Sequence, residues 1–387
     1  MNMSTPSSNK YIPPEVLILI LAILPVKSLL RFSCVCKFWR SIIYSPDFVL
    51  KHFKLFNNNK SNSGKLLALE RLGFGPYGDC FLRLRDADTF RNIADIFMTS
   101  EKYDLVGTCG SLILISRSQN ILYRDMRLCT PSIRKSLLLP PCPLLPSDGY
   151  TPTFVLGFAT RIEDYKIIAI AFKQSQAIVV PEMCVVVYTL TDPQWTVRVN
   201  GLNIDFLSFK DLFGPFYFCE GAAHCLGKNP YTDSSYHFGE TTHLVSLDFD
   251  SENFTFLELP PGLGEIGTTS RALFLLGESL AFFCISPDSF RIWLLKQESR
   301  IREWSLWFLG RSSSDGLDMF DYMGSKTQRV LYYVGDDGWY LVYDKKSYNI
   351  FTSQVRKLGR SIRHEVELAT YFESLVLCNK DGTEDMA

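Results

Sequence analysis

The spacing of short β-forming runs after residue 64 constrains the fold more than any other feature of this sequence. Runs rich in β-branched and aromatic residues alternate there with clusters of Gly, Pro, Asp and Ser, which is the pattern of short strands and turns. The runs fall into groups of up to four, such as FVLGFA, YKIIAIAF, MCVVVYTL and QWTVRV between residues 154 and 199. Corresponding runs recur at intervals of about 45 to 60 residues, which is typical of the blades of a β-propeller.

Five such groups are visible between Ser111 and Phe351, and three further runs lie outside them. KLLALE and CFLRLR stand near the start of this region, and ELATYFESLVLC stands near the end of the chain. If these runs join into one sheet, they close the ring and leave no open sheet edge. We therefore predict an all-β propeller over residues 65–380, with six blades rather than seven, and a C-terminal tail at 381–387.

The composition supports a folded, intracellular protein. Aromatic residues are plentiful (29 Phe, 18 Tyr and 6 Trp), which favours strands. Hydrophobic residues make up 47% of the chain and charged residues 21%, and this composition excludes disorder on a large scale. The eleven cysteines stand mostly alone in apolar stretches, which predicts free thiols in the cytoplasm and/or nucleus. The apolar run 16–24 is too short to span a bilayer, so we expect no membrane partner.

The first 64 residues have a different character. Residues 1–10 are polar and expected to be disordered, and residues 57–64 (NNNKSNSG) have the composition of a linker. Between them, residues 11–56 show apolar residues at helical spacing, interrupted at Pro25 and Pro46, which predicts three short helices. So small a helical module cannot bury all of its apolar surface by itself, and an outside partner is expected.

The charge of the chain is divided between these two regions. Residues 1–60 contain eight Lys or Arg against two acidic residues, and subtraction from the chain totals leaves 32 basic and 39 acidic residues for the remainder. A basic helical module favours an acidic protein partner. Nucleic acid is the weaker interpretation, because the charges are spread over the module and the sequence has no zinc-finger or RNA-binding signature.

The stretch IPPEVLILILAILPVKSLLRFSCVCKFWRSIIYSPDFVLKHF (residues 12–53) resembles the F-box, with Ile12 in place of the usual leucine. The resemblance implies docking on the acidic Skp adaptor and, through it, assembly with a cullin and a RING protein in a ubiquitin ligase. Some of the matching residues are expected to hold the helices together and others to contact the adaptor. The matching positions are Pro13, Pro14, Ile20, Leu21, Leu24, Pro25, Leu29, Leu30, Val35 and Trp39.

The body resembles the kelch-like F-box-associated domain of a large plant family. The resemblance rests on V-G-T-C-G-S-L (106–112), L-G-F (156–158), G-A-A-H-C-L (221–226), L-V-S-L-D-F (244–249) and the closing Y-F-E-S-L-V-L (371–377). This sequence departs from the family at two places. Cys129-Thr130 stands where the family usually has Trp-Asn, and Cys225 stands where an aromatic residue often follows the histidine. The closing motif and the length are similar to the S-locus F-box proteins of pollen, a group associated with style-secreted ribonucleases that are often basic.

We therefore predict a substrate receptor of a Skp–cullin–F-box ubiquitin ligase that catalyses nothing itself and needs no cofactor. The acidic balance of the body suggests a basic protein client, with the loop residues Asp315, Asp318 and Asp321 as a hypothetical capture site. Two alternatives remain open. One is a kelch-like scaffold that binds the adaptor without client ubiquitination, and the other, which leaves the F-box unexplained, is a glycan-active propeller hydrolase with carboxylates at the propeller mouth.

Two cysteine arrangements could suggest other chemistry. His224 and Cys225 could form a nucleophilic pair, but adjacent strand residues point to opposite faces. Cys34-x-Cys36 has no second cysteine pair or histidine at zinc spacing, so no metal site is predicted.

Overall fold

The computed structural model describes residues 12–58, 65–72, 79–86, 91–99, 103–117, 125–144, 152–173, 182–198, 213–227, 243–260, 270–276, 279–285, 289–298, 301–311, 329–333, 339–343 and 364–386. In these residues, four helices precede strands that form antiparallel sheets. The predicted fold class, a small helical F-box module followed by a propeller-like β domain, is confirmed.

The N-terminal module contains one helix more than predicted. Its helices are α1 (Pro14–Ala22), α2 (Val26–Phe32), α3 (Lys37–Ile43) and α4 (Pro46–Asn58). Pro46, expected to end the third helix, instead begins the fourth. The N–H of Phe48 donates to Ser45 Oγ at 3.3 Å, and Pro46 and Asp47 occupy the first turn, where proline and acidic residues are favoured. The helix also reaches into the segment expected to be a linker.

The strands form six antiparallel sheets in the described part of the chain. Sheet 1 contains, in spatial order, β22 (His364–Thr370), β1 (Lys65–Leu72), β2 (Cys80–Asp86) and β3 (Asn92–Thr99). Sheet 2 contains β23 (Thr383–Asp385), β7 (Lys135–Leu138), β6 (Met126–Thr130), β5 (Leu112–Arg117) and β4 (Tyr103–Cys109). Sheet 3 contains β11 (Thr196–Arg198), β10 (Glu182–Thr189), β9 (Asp164–Lys173) and β8 (Thr153–Ala159).

The remaining three sheets follow in chain order. Sheet 4 contains β12 (Phe213–Cys219), β13 (Ala222–Gly227), β14 (His243–Asp248) and β15 (Phe254–Glu258). Sheet 5 contains β16 (Ser270–Leu276), β17 (Ser279–Ile285), β18 (Ser289–Glu298) and β19 (Ile301–Arg311). Sheet 6 contains β20 (Arg329–Tyr333) and β21 (Trp339–Tyr343).

The runs at the two ends of the β domain join in one sheet as the sequence predicted, although the C-terminal strand ends at Thr370 and does not include YFESLVLC. Strand β22 pairs with β1, with Ala369 opposite Leu67, so the C-terminal region enters the first sheet. The segment expected to be a tail also takes part, because β23 pairs with β7, with Thr383 opposite Leu137. Strands β1 and β7 would otherwise be edge strands, and each is hydrogen-bonded to a strand from the C-terminal region of the chain.

Neighbouring sheets pack face to face through alternating residues of their strands. In β5, Ile113 and Ile115 face a core shared with sheet 1, whereas Leu112 and Leu114 face a core shared with sheet 3. Further apolar cores join sheet 3 to sheet 4 and sheet 4 to sheet 5. Strand β4 contacts β8 and β12, and β12 contacts β16, which brings the first strands of four sheets close together. This is the arrangement of consecutive propeller blades around an axis.

The helical module is seated on the turns of sheets 2 and 3. Phe53 of α4 lies against Tyr165 and Phe158, at ring-centroid distances of 5.9 and 5.8 Å, and belongs to the core between these sheets. Lys54 forms an ion pair with Glu163 in the β8–β9 turn. The helices therefore cover the side of the propeller where the strands are joined by short turns.

Candidate protein-binding site

Helix α1 exposes a stripe of large apolar side chains. Val16, Leu19, Ile20 and Ile23 are between 44% and 67% exposed. The first three lie on one face of α1, and Ile23, which directly follows the helix, continues that face. The opposite face, with Leu17, Leu21 and Ala22, is buried in the helical core. We call the four exposed residues the α1 stripe. An exposed apolar stripe of this kind marks a protein-binding surface.

Further apolar side chains are exposed at the turn between α2 and α3. Val35 is 64% exposed, and Phe38 is 52% exposed. The exposure of Phe38 has a local cause, because α3 begins directly after Cys36, whose Sγ accepts the N–H of Trp39 at 3.4 Å. This cap starts the helix with Phe38 in its first turn, where the side chain meets no core.

The basic side chains of the module accompany these apolar residues. Lys27, Arg31 and Lys37 are exposed, and none of them forms an ion pair within the described part of the chain. Arg40 lies over the ring of Tyr44, 5.5 Å from its centroid. A surface of apolar side chains and unneutralised cations is suited to an acidic protein partner, whose approach the charges would accelerate.

An open concavity of about 390 Å³ lies between α1, α3 and α4. It is lined by Ile18, Ser41, Ile42, Ser45, Asp47, Phe48 and Lys51. Its apolar residues come from three different helices, so its shape depends on the packing of the module. The concavity could accept one partner side chain, while Asp47 and Lys51 offer opposite charges beside it.

The ten residues predicted from the F-box motif divide by burial. Four are exposed, namely Pro13, Ile20, Pro25 and Val35, and four are half-buried, namely Pro14, Leu24, Leu30 and Trp39. Leu21 and Leu29 are buried in the helical core. These two residues hold the helices together and present no side-chain surface to a partner.

Sequence reasoning did not select Val16, Leu19, Ile23 or Phe38 as candidate binding residues. The signal for the first three is the unbroken apolar run 16–24, VLILILAIL, which is longer than one buried helix face requires. Phe38 carried no comparable signal, because its exposure depends on where α3 begins. The predicted capture residues Asp315, Asp318 and Asp321 lie outside the described residues.

His224 and Cys225 point to opposite sides of β13. The His224 Nδ1 atom is 2.8 Å from Ser246 Oγ, and burial, followed by the nearby Arg302, lowers the histidine pKa to about 4. Cys225 is buried in the core between sheets 3 and 4, where burial raises its pKa well above the usual value. A buried thiol on the far side of the strand cannot be activated by this histidine.

The described residues contain no group of three or more His, Cys, Asp or Glu side chains placed to hold a metal ion. Within the same residues, no helix has the length and apolar character needed to cross a membrane.

Taken together, the fold and the exposed helical face define a two-module protein that offers a protein-binding surface beside a β-propeller-like domain. Residues 11–51 match the F-box domain family, so the N-terminal module is an F-box. The chain is 23% identical over 309 residues to an F-box/kelch-repeat protein of Arabidopsis thaliana, covering 76% of this chain and 78% of the relative. It is 24% identical over 314 residues to an F-box protein of the same plant, covering 76% and 72% of the two chains.

The resemblance to plant F-box proteins with a C-terminal β domain is thereby confirmed. A solved structure, a family 117 glycoside hydrolase from the marine bacterium Zobellia galactanivorans, is 10% identical and covers 74% of this chain and 85% of its own, with a TM-score of 0.28. So low a score supports no conclusion about fold or activity. The F-box and its relatives support a general substrate-recognition role in a Skp–cullin–F-box ubiquitin ligase, with the F-box binding a Skp-type adaptor.

Proposed function

We propose that this chain carries a protein client to a ubiquitin ligase and performs no catalysis of its own. The F-box binds the Skp adaptor, which connects it to the cullin and a RING protein, while the propeller holds the client. Ubiquitin transfer to the client is then accelerated because the client is kept close to the transfer site. This function needs only two binding surfaces and no cofactor.

The α1 stripe is the observation that supports this proposal most strongly. Ile20 of α1 and Ile23, which directly follows the helix, are well exposed in a module that matches the F-box. Burying such side chains against a partner supplies most of the binding energy in typical interfaces, and a few central residues dominate it. The neighbouring cations Lys27 and Arg31 favour an acidic adaptor.

A matched pair of variants in the full-length chain tests the adaptor-binding face. Ile20→Asp places a carboxylate in the α1 stripe, and Ile93→Asp makes the same change at an equally exposed isoleucine on the edge strand β3. We expect Ile20→Asp to weaken adaptor binding by about thirtyfold or more, the effect of losing an interface hot spot. We expect Ile93→Asp to bind as tightly as the wild type. Calorimetric titration with the purified adaptor measures both.

The result that contradicts this site is wild-type affinity in a folded Ile20→Asp protein. A second variant, Ile23→Asp, distinguishes a misplaced face from a tolerant position. If both variants bind normally, the adaptor does not use the α1 stripe.

The side of the propeller away from the F-box is the proposed client-binding side. The short β4–β5 turn, Gly110-Ser111, lies against Phe53 of the F-box, and Glu163 of the β8–β9 turn forms an ion pair with Lys54. Strands β11, β13 and β19 run in the opposite direction and end away from these turns, and the longer connections 199–212, 228–242 and 312–328 follow them in the sequence. Binding residues are commonly carried on long loops of a rigid scaffold. The proposed capture residues belong to the connection 312–328.

The identity of the client remains a prediction. An acidic capture loop predicts that replacing Asp315, Asp318 and Asp321 by Asn weakens binding of a basic client and reduces its salt dependence. Equal affinity and an equal salt slope in the triple variant would exclude this loop. Membership of the S-locus group, with style ribonucleases as clients, is a narrower proposal that the Arabidopsis relatives do not address.

The proposed compartment is the cytoplasm or nucleus. All eleven cysteines are free thiols, and burial raises the pKa of Cys129 to about 12 and of Cys142 to about 11. Free thiols are typical of a reducing compartment such as the cytoplasm or nucleus.

A further inference from the structure

The core of the F-box includes a residue from the opposite end of the chain. Leu17, Leu21, Val26, Leu29 and Ile43 form the helical cluster, and Leu375 lies in the same cluster with no exposed surface. Cys378 and Ile133, both from the propeller domain, pack against it. The four helices therefore do not enclose their own core.

The segment that delivers Leu375, residues 371–380, is held by the propeller on both sides of that residue. Tyr371 lies in the core between sheets 1 and 2, and its hydroxyl accepts the N–H of Ser132 at 2.6 Å. Leu377 lies in the core between sheets 2 and 3. Successive apolar side chains of one short segment thus enter three different cores.

Polar contacts fix the same segment between these apolar residues. Ser374 is buried, and its carbonyl oxygen accepts the Ser132 hydroxyl at 2.6 Å. The Ser374 hydroxyl lies 2.5 Å from that of Ser111. Lys380 Nζ donates to the carbonyl oxygen of Leu190 at 2.7 Å. The position of Leu375 is therefore set by the propeller and not by the helices alone.

The segment takes this position directly after the strand that closes the ring. Strand β22 ends at Thr370, and the N–H of Tyr371 donates to the carbonyl oxygen of Lys65 at the start of β1. Leu375 follows five residues after this strand. In the folded chain, Leu375 thus enters the helical core a few residues after the chain leaves the β22–β1 pair.

We propose that the C-terminal segment completes the F-box, so that a stable adaptor-binding module exists only in a full-length chain whose propeller is closed. During synthesis the helices emerge first, but their core lacks Leu375 until nearly the whole chain has been made. Adaptor binding then reports that the client-binding domain is finished. This inference rests on the proposed adaptor-binding function only for its biological consequence, because completion of the helical core can be measured without the adaptor.

A matched pair of variants in the full-length chain separates this role from general stability. Leu375→Ala and Leu377→Ala remove the same side chain from two fully buried positions in one segment. Only Leu375 belongs to the helical cluster. Hydrogen–deuterium exchange of the α1 and α2 amides is compared with that of β5 and β6. We expect Leu375→Ala to speed exchange in α1 and α2 by about tenfold or more, because a buried leucine is lost from their core.

The same variants are then titrated with the adaptor. We expect Leu375→Ala to weaken binding by about tenfold, since only the folded fraction of the F-box is competent, and Leu377→Ala to leave the affinity nearly unchanged. Leu375→Met, which conserves volume, should restore both protection and binding.

Three results would overturn the proposal. The first is that Leu375→Ala leaves the exchange of α1 and α2 unchanged. The second is that the two alanine variants affect these helices equally. The third is that Leu375→Ala lowers the protection of β5 and β6 as much as that of the helices. If instead the wild-type chain binds no adaptor while Leu375→Ala still loosens α1 and α2, the proposed function fails and the completion of the helical core stands.

Discussion

Gly157 of β8 has no room for a side chain, and we predict that Gly157→Ala destabilises the propeller. A Cβ atom built on Gly157 would lie 2.5 Å from two ring carbons of Phe249 and 2.6 Å from a ring carbon of Phe218. These rings come from sheet 4 and pack edge to face, with centroids 5.2 Å apart. Carbon atoms prefer separations of about 3.5 to 4.0 Å, so both rings would have to move by about 1 Å.

The cost of such overpacking is about 1 to 3 kcal/mol of the free energy of unfolding. With an m value of about 3 kcal/mol per molar urea, the unfolding midpoint falls by about 0.3 to 1 M. Gly107→Ala in β4 is the control, because its Cβ would lie 3.6 Å from Leu156 Cβ, an ordinary contact. We expect the control to match or slightly exceed the wild type, since alanine restricts the unfolded chain.

Urea unfolding followed by near-ultraviolet circular dichroism gives the three midpoints. A double variant, Gly157→Ala with Phe249→Leu, removes the ring that causes the clash and should be more stable than the sum of the two single effects predicts. Equal midpoints for Gly157→Ala and Gly107→Ala, or strictly additive single effects, would refute this account of the contact between sheets 3 and 4.

Three further predictions concern polar or charged groups at buried positions: a carboxylate introduced into the F-box, a buried ion pair and a buried histidine. Leu29→Asp puts a carboxylate in the helical core and should unfold the F-box. Leu30→Asp changes a half-buried position and should lower the free energy of unfolding by less. Far-ultraviolet circular dichroism compares the helix content of the two variants. Lys166→Met removes the buried partner of Glu252, whose carboxylate then keeps only its ion pair with Arg198 among the described residues. The free energy of unfolding measured in urea titrations should fall by about 1 to 3 kcal/mol. Burial lowers the pKa of His224 to about 4, below its usual 6.5, so the unfolded chain takes up the proton first as the pH falls. The pKa values of His52 and His243 are also lowered, so the test is a difference: between pH 6.5 and 4 the wild type should lose about 3 kcal/mol more of its free energy of unfolding than His224→Gln.

The strand content and grouping could be predicted because they depend on local patterns. The four runs FVLGFA, YKIIAIAF, MCVVVYTL and QWTVRV became β8 to β11 of one sheet, since period-two patterning and turn residues act within a few positions. Of the other predicted runs, NILYRD falls mostly outside the described residues, as does the weak strand near Phe351. The fourth helix was missed because a proline after a serine can end one helix or begin the next, and only the cap formed by Ser45 decides.

The binding face could be predicted only in part, because α1 is apolar on all sides from Val16 onward. Leu17 and Ile20 have the same character in the sequence, yet the first is buried and the second is exposed. The difference arises from which side of α1 meets the other helices and the propeller. Burial of Leu29 beside half-buried Leu30 has the same cause, so a motif match names both residues without separating their roles.

The role of Leu375 could not be predicted from its sequence context. The motif Y-F-E-S-L-V-L has no helical or strand period that would assign Tyr371, Leu375 and Leu377 to three separate cores. The contacts of Leu375 with the helices join residues more than 300 positions apart, so they form only when the two ends of the chain have been brought together. Ring closure brings β22 to β1, and β1 begins shortly after α4, so one event carries the end of the chain to the base of the F-box. The adaptor-binding module and the closed propeller are therefore expected to gain stability together, and a change at either end of the chain should be felt at both.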